Sequence, residues 1–267
     1  MKSHVHPIAL VTGGSSGIGQ ATAIALAKSG CKVYELSRHG HSQAPIHHIT
    51  ADVTDEKTVM MAINRLINLE GKIDIVINCA GYGISGAIEF TDLTDAKSQF
   101  NVNFFGMVNV NKYVLPHMRE NRKGRIVNIS SVAAVAHIPF QAYYSASKAA
   151  VNSYTCALAN EVRPYGITVT AVQPGDICTG FTTARQKSYL GDSIYHGRIS
   201  RSVSQMEKDE QNGMTARHVG NYIAKIALKG KVKPIYSIGI MYQFFCLVIK
   251  LAPCNFVNTI IGKIYAK

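Results

Sequence analysis

Apolar positions along this chain follow two alternating rhythms. Short apolar runs at residues 8–12, 32–37, 73–78, 125–130, 167–173 and 234–238 read as strands. Between them, residues 18–29, 55–69, 95–121 and 144–163 carry apolar positions at helical spacing. Strand–helix alternation over this length predicts an α/β fold, a parallel doubly wound sheet with helices on both faces. No repeat, low-complexity tract or linker divides it. Two stretches break the rhythm. Residues 181–214 are polar, carry both charge signs and are punctuated by Gly191, Gly197 and Gly213, as suits an excursion that closes over a ligand. From Gly239 the chain is almost wholly apolar up to Pro253, too short for the ~20 residues that span a bilayer, and a second helical pattern follows at 255–265. The expected organisation is a catalytic domain over 1–238, with a lid at 181–214, and an apolar basic extension over 239–267.

The first strand runs into Thr12-Gly13-Gly14-Ser15-Ser16-Gly17-Ile18-Gly19. Glycines at a strand-to-helix junction let the backbone approach a pyrophosphate held at the helix N-terminus. Dinucleotide sites place an acidic residue about twenty positions further on, against the adenosine ribose. Here that neighbourhood reads Glu35-Leu36-Ser37-Arg38. Ser37 stands where a carboxylate would repel a phosphate, and Arg38 is suited to pair with a 2′-phosphate. NADPH is expected over NADH. Glu35 stands two residues early and, by strand alternation, shares a face with Ser37.

A second signal lies in Tyr143-Tyr144-Ser145-Ala146-Ser147-Lys148. Tyr144 and Lys148 are four residues apart, one helical turn, on one face. An ordinary phenol, with a pKa near ~10, is a poor acid or base at neutral pH, and a nearby ammonium favours its ionised form.

Together these motifs resemble the short-chain dehydrogenase/reductase family, over about residues 7–238. The resemblance implies a single-domain Rossmann-type fold of about seven strands with an apolar C-terminal helical extension. It assigns the loop residues Gly13, Ser15, Ser16, Gly17, Ile18 and Gly19 to the cofactor, with Ser37 and Arg38 at the ribose and Asp52-Val53 at the adenine. Asn78-Cys79-Ala80-Gly81 resembles the family's Asn-Asn-Ala-Gly turn, with Asn78 and Ala80 at the cofactor and Cys79 in place of the second Asn. Asn103 matches the catalytic asparagine, placed on a long helix, where it holds a water that links Lys148 to solvent. Ser131, thirteen residues before Tyr144, matches the active serine in preference to Ser130, and Tyr144 is selected over Tyr143 by its lysine. Pro174, Gly175, Ile177 and Thr179 resemble the loop along the nicotinamide. In this scheme Tyr144 is acid in reduction and base in oxidation, Lys148 lowers its pKa and grips the nicotinamide ribose, and Ser131 holds the substrate oxygen.

Composition narrows the setting. At 267 residues, 47% hydrophobic and 16% charged, the chain suits one large globular domain. Its six cysteines show no Cys-x-x-Cys or metal-ligand spacing, which fits reduced thiols in the cytoplasm, and no signal peptide or N-terminal anchor is read at Met1. His39, His41, His47 and His48 read as surface residues without ligand geometry, so no metal is expected. Net charge is +12, and residues 211–267 hold eight Lys or Arg and no Asp or Glu. A solvated basic face, an anionic membrane surface and a phosphate-bearing substrate all suit it; no motif accompanies it that would suit nucleic acid. The tail packs on its own domain or a partner, or lies on a membrane with Lys250, Lys263 and Lys267 toward the headgroups, or is partly disordered. The family resemblance, in its hydroxysteroid/retinol dehydrogenase-like branch, implies a steroid-, retinoid- or lipid-like carbonyl or secondary alcohol, walled by Ile84, Val135, Ile138, Phe140, Phe181, Tyr189 and Leu190. It also implies a homodimer or homotetramer through helices 95–121 and 144–163. The alternatives are a 3-oxoacyl thioester reductase and a non-catalytic NADPH sensor.

Overall fold

Strands buried on both faces need an apolar side chain at nearly every position, and the central strands have one. In the computed structural model, which describes residues 6–266, β1 (Ile8–Thr12), β2 (Lys32–Ser37), β3 (Ile46–Thr50), β4 (Ile75–Asn78), β5 (Gly124–Ile129), β6 (Ile167–Gln173) and β7 (Ile235–Ser237) form one sheet. Residues 1–5, and Lys267 with its expected headgroup contact, lie outside the described residues. The strand order is β7-β6-β5-β4-β1-β2-β3, and all pairings are parallel. The periodicity missed β3 because His47 and His48 interrupt its apolar run. As an edge strand with β2 alone beside it, β3 buries only Ile49, so its sequence is free to be polar.

Helices α1 (Gly17–Lys28), α2 (Glu56–Glu70), α3 (Leu93–Phe100), α4 (Gly106–Glu120), α5 (Ala142–Val162), α6 (Phe181–Ala184), α7 (Arg198–Gln211), α8 (Ala216–Leu228), α9 (Ile240–Leu251) and α10 (Cys254–Tyr265) complete the fold. Their ends follow local chemistry. Asp55 caps α2 by accepting from the N–H groups of Lys57 and Thr58, and Gly71 ends it with φ 73°. Strand alternation splits the core in two. Leu10, Leu36, Val76, Ile126 and Val169 face α2, α4 and α5, where Ile63, Leu66, Val114 and Leu158 meet them. Ala9, Val11, Val33, Ile77 and Val172 face α1 and α8, against Leu26, Val219 and Ile223. Burying each such Leu, Ile or Val side chain contributes about 1.5–3 kcal/mol.

The long helix expected at 95–121 is two helices. Between α3 and α4 the backbone widens into a π-helical stretch, Asn101–Phe105, a feature frequent at functional sites. It carries Asn103, which is 2% exposed. From β1 the strand order runs outward to β2 and β3 on one side and to β4 on the other. The crevice therefore opens beyond the C-terminal ends of β1 and β4.

Candidate active site

Space at the end of β1 exists only because side chains are missing. A Cβ on Gly19 would lie 2.1 Å from the Gly13 carbonyl oxygen, and one on Gly13 would lie 3.0 Å from the Ala80 nitrogen. Gly13 and Gly17 have φ of 64° and 54°, the left-handed region that side chains disfavour. Thr12 Oγ1 accepts from the Cys79 and Ala80 N–H groups, each at 3.1 Å, which ties the turn after β4 to the loop. Ser16 caps α1 without a side-chain bond, so the helix keeps free N–H groups for an anion.

The groove beside this loop is lined by Gly13, Ser15, Ser16, Ser37, Arg38, Asp52, Val53 and Ala80. It fits a dinucleotide, with a glycine cradle at one part and an exposed guanidinium, Arg38, at another. Three of the expected cofactor residues, Gly17, Gly19 and Asn78, line neither this groove nor the cavity beyond it. Gly17 and Gly19 shape the loop. Asn78 is 5% exposed, and its Nδ2 donates to Asn111 Oδ1 and Asn128 Oδ1, both at 2.8 Å. Asn128 in turn donates to Thr155 Oγ1 at 2.9 Å, so Asn78 belongs to a buried amide chain that joins α4, β4, β5 and α5. The Cys79 replacement leaves that chain whole.

Glu35 has its own partners. It is 3% exposed, is paired with His48 Nδ1 and accepts from Ser37 Oγ at 3.3 Å. It packs under Gly14, whose added Cβ would lie 2.5 Å from the Glu35 Cβ. His48, read from the sequence as a surface residue, is mostly covered because this carboxylate draws it inward.

The groove continues into a cavity lined by Ile18, Ser131, Tyr144, Lys148, Pro174, Gly175, Ile177 and Thr179 together with Ile138 and Phe181. Tyr144 lies on its wall while Tyr143 does not. Ser130 is 2% exposed and its hydroxyl donates to the Lys148 carbonyl at 3.0 Å, whereas Ser131 Oγ, on the cavity wall with Tyr144, accepts from the Ala133 N–H at 3.1 Å and is among the groups that act on the phenol. Phe181 stands over Tyr144 with ring centroids 5.7 Å apart. Asn103 clamps the backbone of Tyr82: its Nδ2 donates to the carbonyl at 3.0 Å and its Oδ1 accepts from the N–H at 2.9 Å. It also donates to Ser147 Oγ at 3.1 Å.

Burial governs the charges. It pushes the Tyr144 phenol up to about 12; the Ser131 hydrogen bond and the Arg185 charge pull the other way. Burial likewise pushes Lys148 down to about 8. Lys148 Nζ stands 5.7 Å from the Tyr144 ring centre and donates to the Ile129 carbonyl at 2.9 Å. Desolvation is the largest influence on the Tyr144 phenol and raises it, opposite in direction to the lowering that the Tyr144/Lys148 spacing suggests.

The expected substrate wall is only partly there. Ile138 and Phe181 line the cavity, but Phe140 packs with Ile199, Val203 and Met206, Ile84 lies in a short strand paired with Gln186, and Tyr189 and Leu190 are exposed. The cavity also has polar neighbours that no spacing announced: Gln141, Asp176 and Glu210 line it, and Arg185 lies buried beside Phe181. The region 181–214 supplies two of these, Arg185 just after α6 and Glu210 on α7.

A parallel doubly wound sheet with a dinucleotide cradle and a tyrosine, lysine and serine in the adjoining cavity defines an oxidoreductase of the nicotinamide class. The short chain dehydrogenase family model matches residues 7–190, and the chain belongs to the short-chain dehydrogenase/reductase family. It is similar to a 3-ketodihydrosphingosine reductase of Bacteroides thetaiotaomicron, 44% identical over 83% of this chain and 84% of that one. Among solved structures, a short-chain dehydrogenase from Streptomyces avermitilis covers 98% of this chain and 96% of its own, with a TM-score of 0.84 and 25% identity. A 3-ketoacyl-(acyl-carrier-protein) reductase from Brucella melitensis, solved with NADH, covers 88% of this chain and 97% of its own, with a TM-score of 0.73 and 26% identity.

Proposed function

We propose that this chain reduces the ketone of a long-chain lipid, of the 3-ketodihydrosphingosine kind, to a secondary alcohol with NADPH. The observation that carries the reading is the meeting of Ser131, Tyr144 and Lys148 on the wall of one cavity beside the dinucleotide groove. The similarity to the Bacteroides reductase directs it toward lipid ketones. Bound in the groove, the cofactor supplies hydride to the carbonyl carbon. Ser131 donates a hydrogen bond to the carbonyl oxygen and stabilises the charge that gathers there. Tyr144 gives its proton to that oxygen, which closes the balance from C=O to CH–OH and leaves a phenolate. Lys148, one turn away, stabilises the phenolate until solvent restores its proton. Purified protein should oxidise NADPH with long-chain 3-ketones and be inert with acetoacetyl thioesters. The reverse preference would favour the thioester reductase, which the basic surface also suits.

The tail belongs to the same proposal. Its inner face is docked: Phe245, Ile249, Val257 and Ile261 gather on Ala136, and Tyr242 donates to Asp176 Oδ2 at 2.6 Å. Its outer face is apolar and open, with Ile240, Met241, Phe244, Leu247 and Leu251 on α9 and Phe256 and Ile264 on α10 all at least half exposed. Among the described residues no helix is long and apolar enough to cross a membrane. With Lys250 and Lys263 at its edges and a net charge of +12, this face is suited to lie in the headgroup layer of an anionic bilayer. Replacing Phe244 and Leu247 together by Ser should abolish flotation with phosphatidylglycerol vesicles. Unchanged flotation would refute the contact, and loss of a dimer instead would assign the face to a second copy.

A further inference from the structure

Two neighbouring strands end side by side next to the cavity. The Ile238 N–H donates to the Gln173 carbonyl at 3.0 Å, and Ser237 Oγ donates to Gln173 Oε1 at 3.1 Å. These bonds hold the last residues of β6 and β7 together. After β6, Pro174, Gly175, Asp176, Ile177 and Thr179 line the cavity that holds Tyr144. After β7 the chain turns at Gly239, with φ 89°, and enters α9. The first turn of α9 therefore starts beside the cavity wall.

Tyr242 reaches back from that turn onto the wall. Its hydroxyl donates to Asp176 Oδ2 at 2.6 Å and accepts from the Asp176 N–H at 3.1 Å. A Cβ on Gly175 would lie 2.2 Å from the Tyr242 Cζ, so the ring rests on bare backbone. The Asp176 carbonyl is held from another side, by the Met214 N–H at 2.9 Å. One phenol thus grips both the main chain and the side chain of a residue in the cavity wall. Packing alone does not call for that hydroxyl. The inner face of α9 is otherwise apolar, with Phe245, Cys246 and Ile249, and a phenylalanine would fill the same space with no polar group to satisfy.

Hydride and the Tyr144 proton go to the two atoms of one carbonyl, so the reacting ring of a dinucleotide belongs in this cavity. The groove beside it, with Gly13, Ser37 and Arg38, suits the adenosine end. We propose that Tyr242 is a positioning residue: acting through Asp176, it holds residues 174–176 in the shape that admits the reacting ring of the cofactor. A wall already held in place spares the ligand the cost of ordering it. The role rests on the dinucleotide and Tyr144 assignments above, and it ties the C-terminal extension to the reaction cavity.

The test separates the two ends of the cofactor. NADPH spans groove and cavity, whereas adenosine 2′,5′-bisphosphate reaches only the groove, and calorimetry measures the binding of each to the full chain. Tyr242→Phe keeps the ring on Gly175 and removes the hydroxyl. It should weaken NADPH about tenfold and leave the bisphosphate within about twofold. Asp176→Ala should give the same selective loss, so the result does not depend on one variant folding. The double variant should lose no more than either single one, and Asp176→Asn, whose side-chain oxygen still accepts from the phenol, should keep most of the affinity. Unchanged NADPH binding in Tyr242→Phe and Asp176→Ala, or an equal loss for both ligands, would overturn the positioning role and leave the cofactor assignment standing. If the parent chain binds neither ligand, the NADPH reading fails, and the same comparison with NADH and 5′-AMP decides the role of Tyr242. Binding of none of the four would overturn both.

Discussion

Replacing Tyr144 by Phe should lower turnover by about a thousandfold, within the range that a positioned proton donor contributes, while NADPH still binds. The cofactor groove is lined by other residues, from Gly13 to Ala80, so a fluorescence titration with NADPH should give nearly the parent affinity. The ring itself stays, and with it the packing against Phe181. The loss should therefore appear in kcat, not in stability. The parent enzyme's reduction rate should be level across neutral pH, because burial holds the phenol's pKa near 12. Turnover in the Phe variant close to the parent rate would mean that another group delivers the proton, and the assignment would fall.

The second large effect is on cofactor choice. Arg38→Ala should weaken NADPH by about 10–100-fold, the loss of a charge-assisted pair with the 2′-phosphate, and leave NADH within a few-fold. Ser37→Asp should act in the same direction by setting a carboxylate against the phosphate. Both side chains line the groove, and Arg38 is exposed there. Glu35 raises the opposite expectation in the sequence, since it shares a strand face with Ser37. Its carboxylate is turned to His48 and covered by Gly14, so the acidic residue nearest the ribose position is already engaged. An NADP/NAD preference unchanged in both variants, measured by kcat/KM, would contradict the phosphate reading.

The parts of the site legible in the sequence are those made by local geometry. A glycine loop between a strand and a helix, a tyrosine and lysine one turn apart, and a serine at a strand end each occupy a few consecutive residues. Their chemistry is visible in their spacing. The π-helical stretch at Asn101–Phe105 was not legible, because the apolar period runs through it unbroken while its backbone widens to turn Asn103 onto Tyr82. Nor was the substrate wall. Apolar residues near the right loops were expected to form it, yet Phe140 and Ile84 went to other packing clusters, and Tyr189 and Leu190 face outward. Apolar character marks a residue for burial without saying against what.

By itself the sequence determined the parallel sheet and the alternation of strand and helix, though not β3 or the break between α3 and α4, and it pointed to the dinucleotide loop and the register that favours Tyr144 and Ser131. These depend on periodicity and on contacts a few residues apart. Tertiary structure alone decided the electrostatics. It raised the Tyr144 phenol and lowered the Lys148 ammonium by burial, turned Glu35 inward to His48, and brought Gln141, Asp176 and Glu210 from three separate segments to one cavity. Desolvation and long-range contact depend on what surrounds a group in space, and no spacing along the chain encodes that.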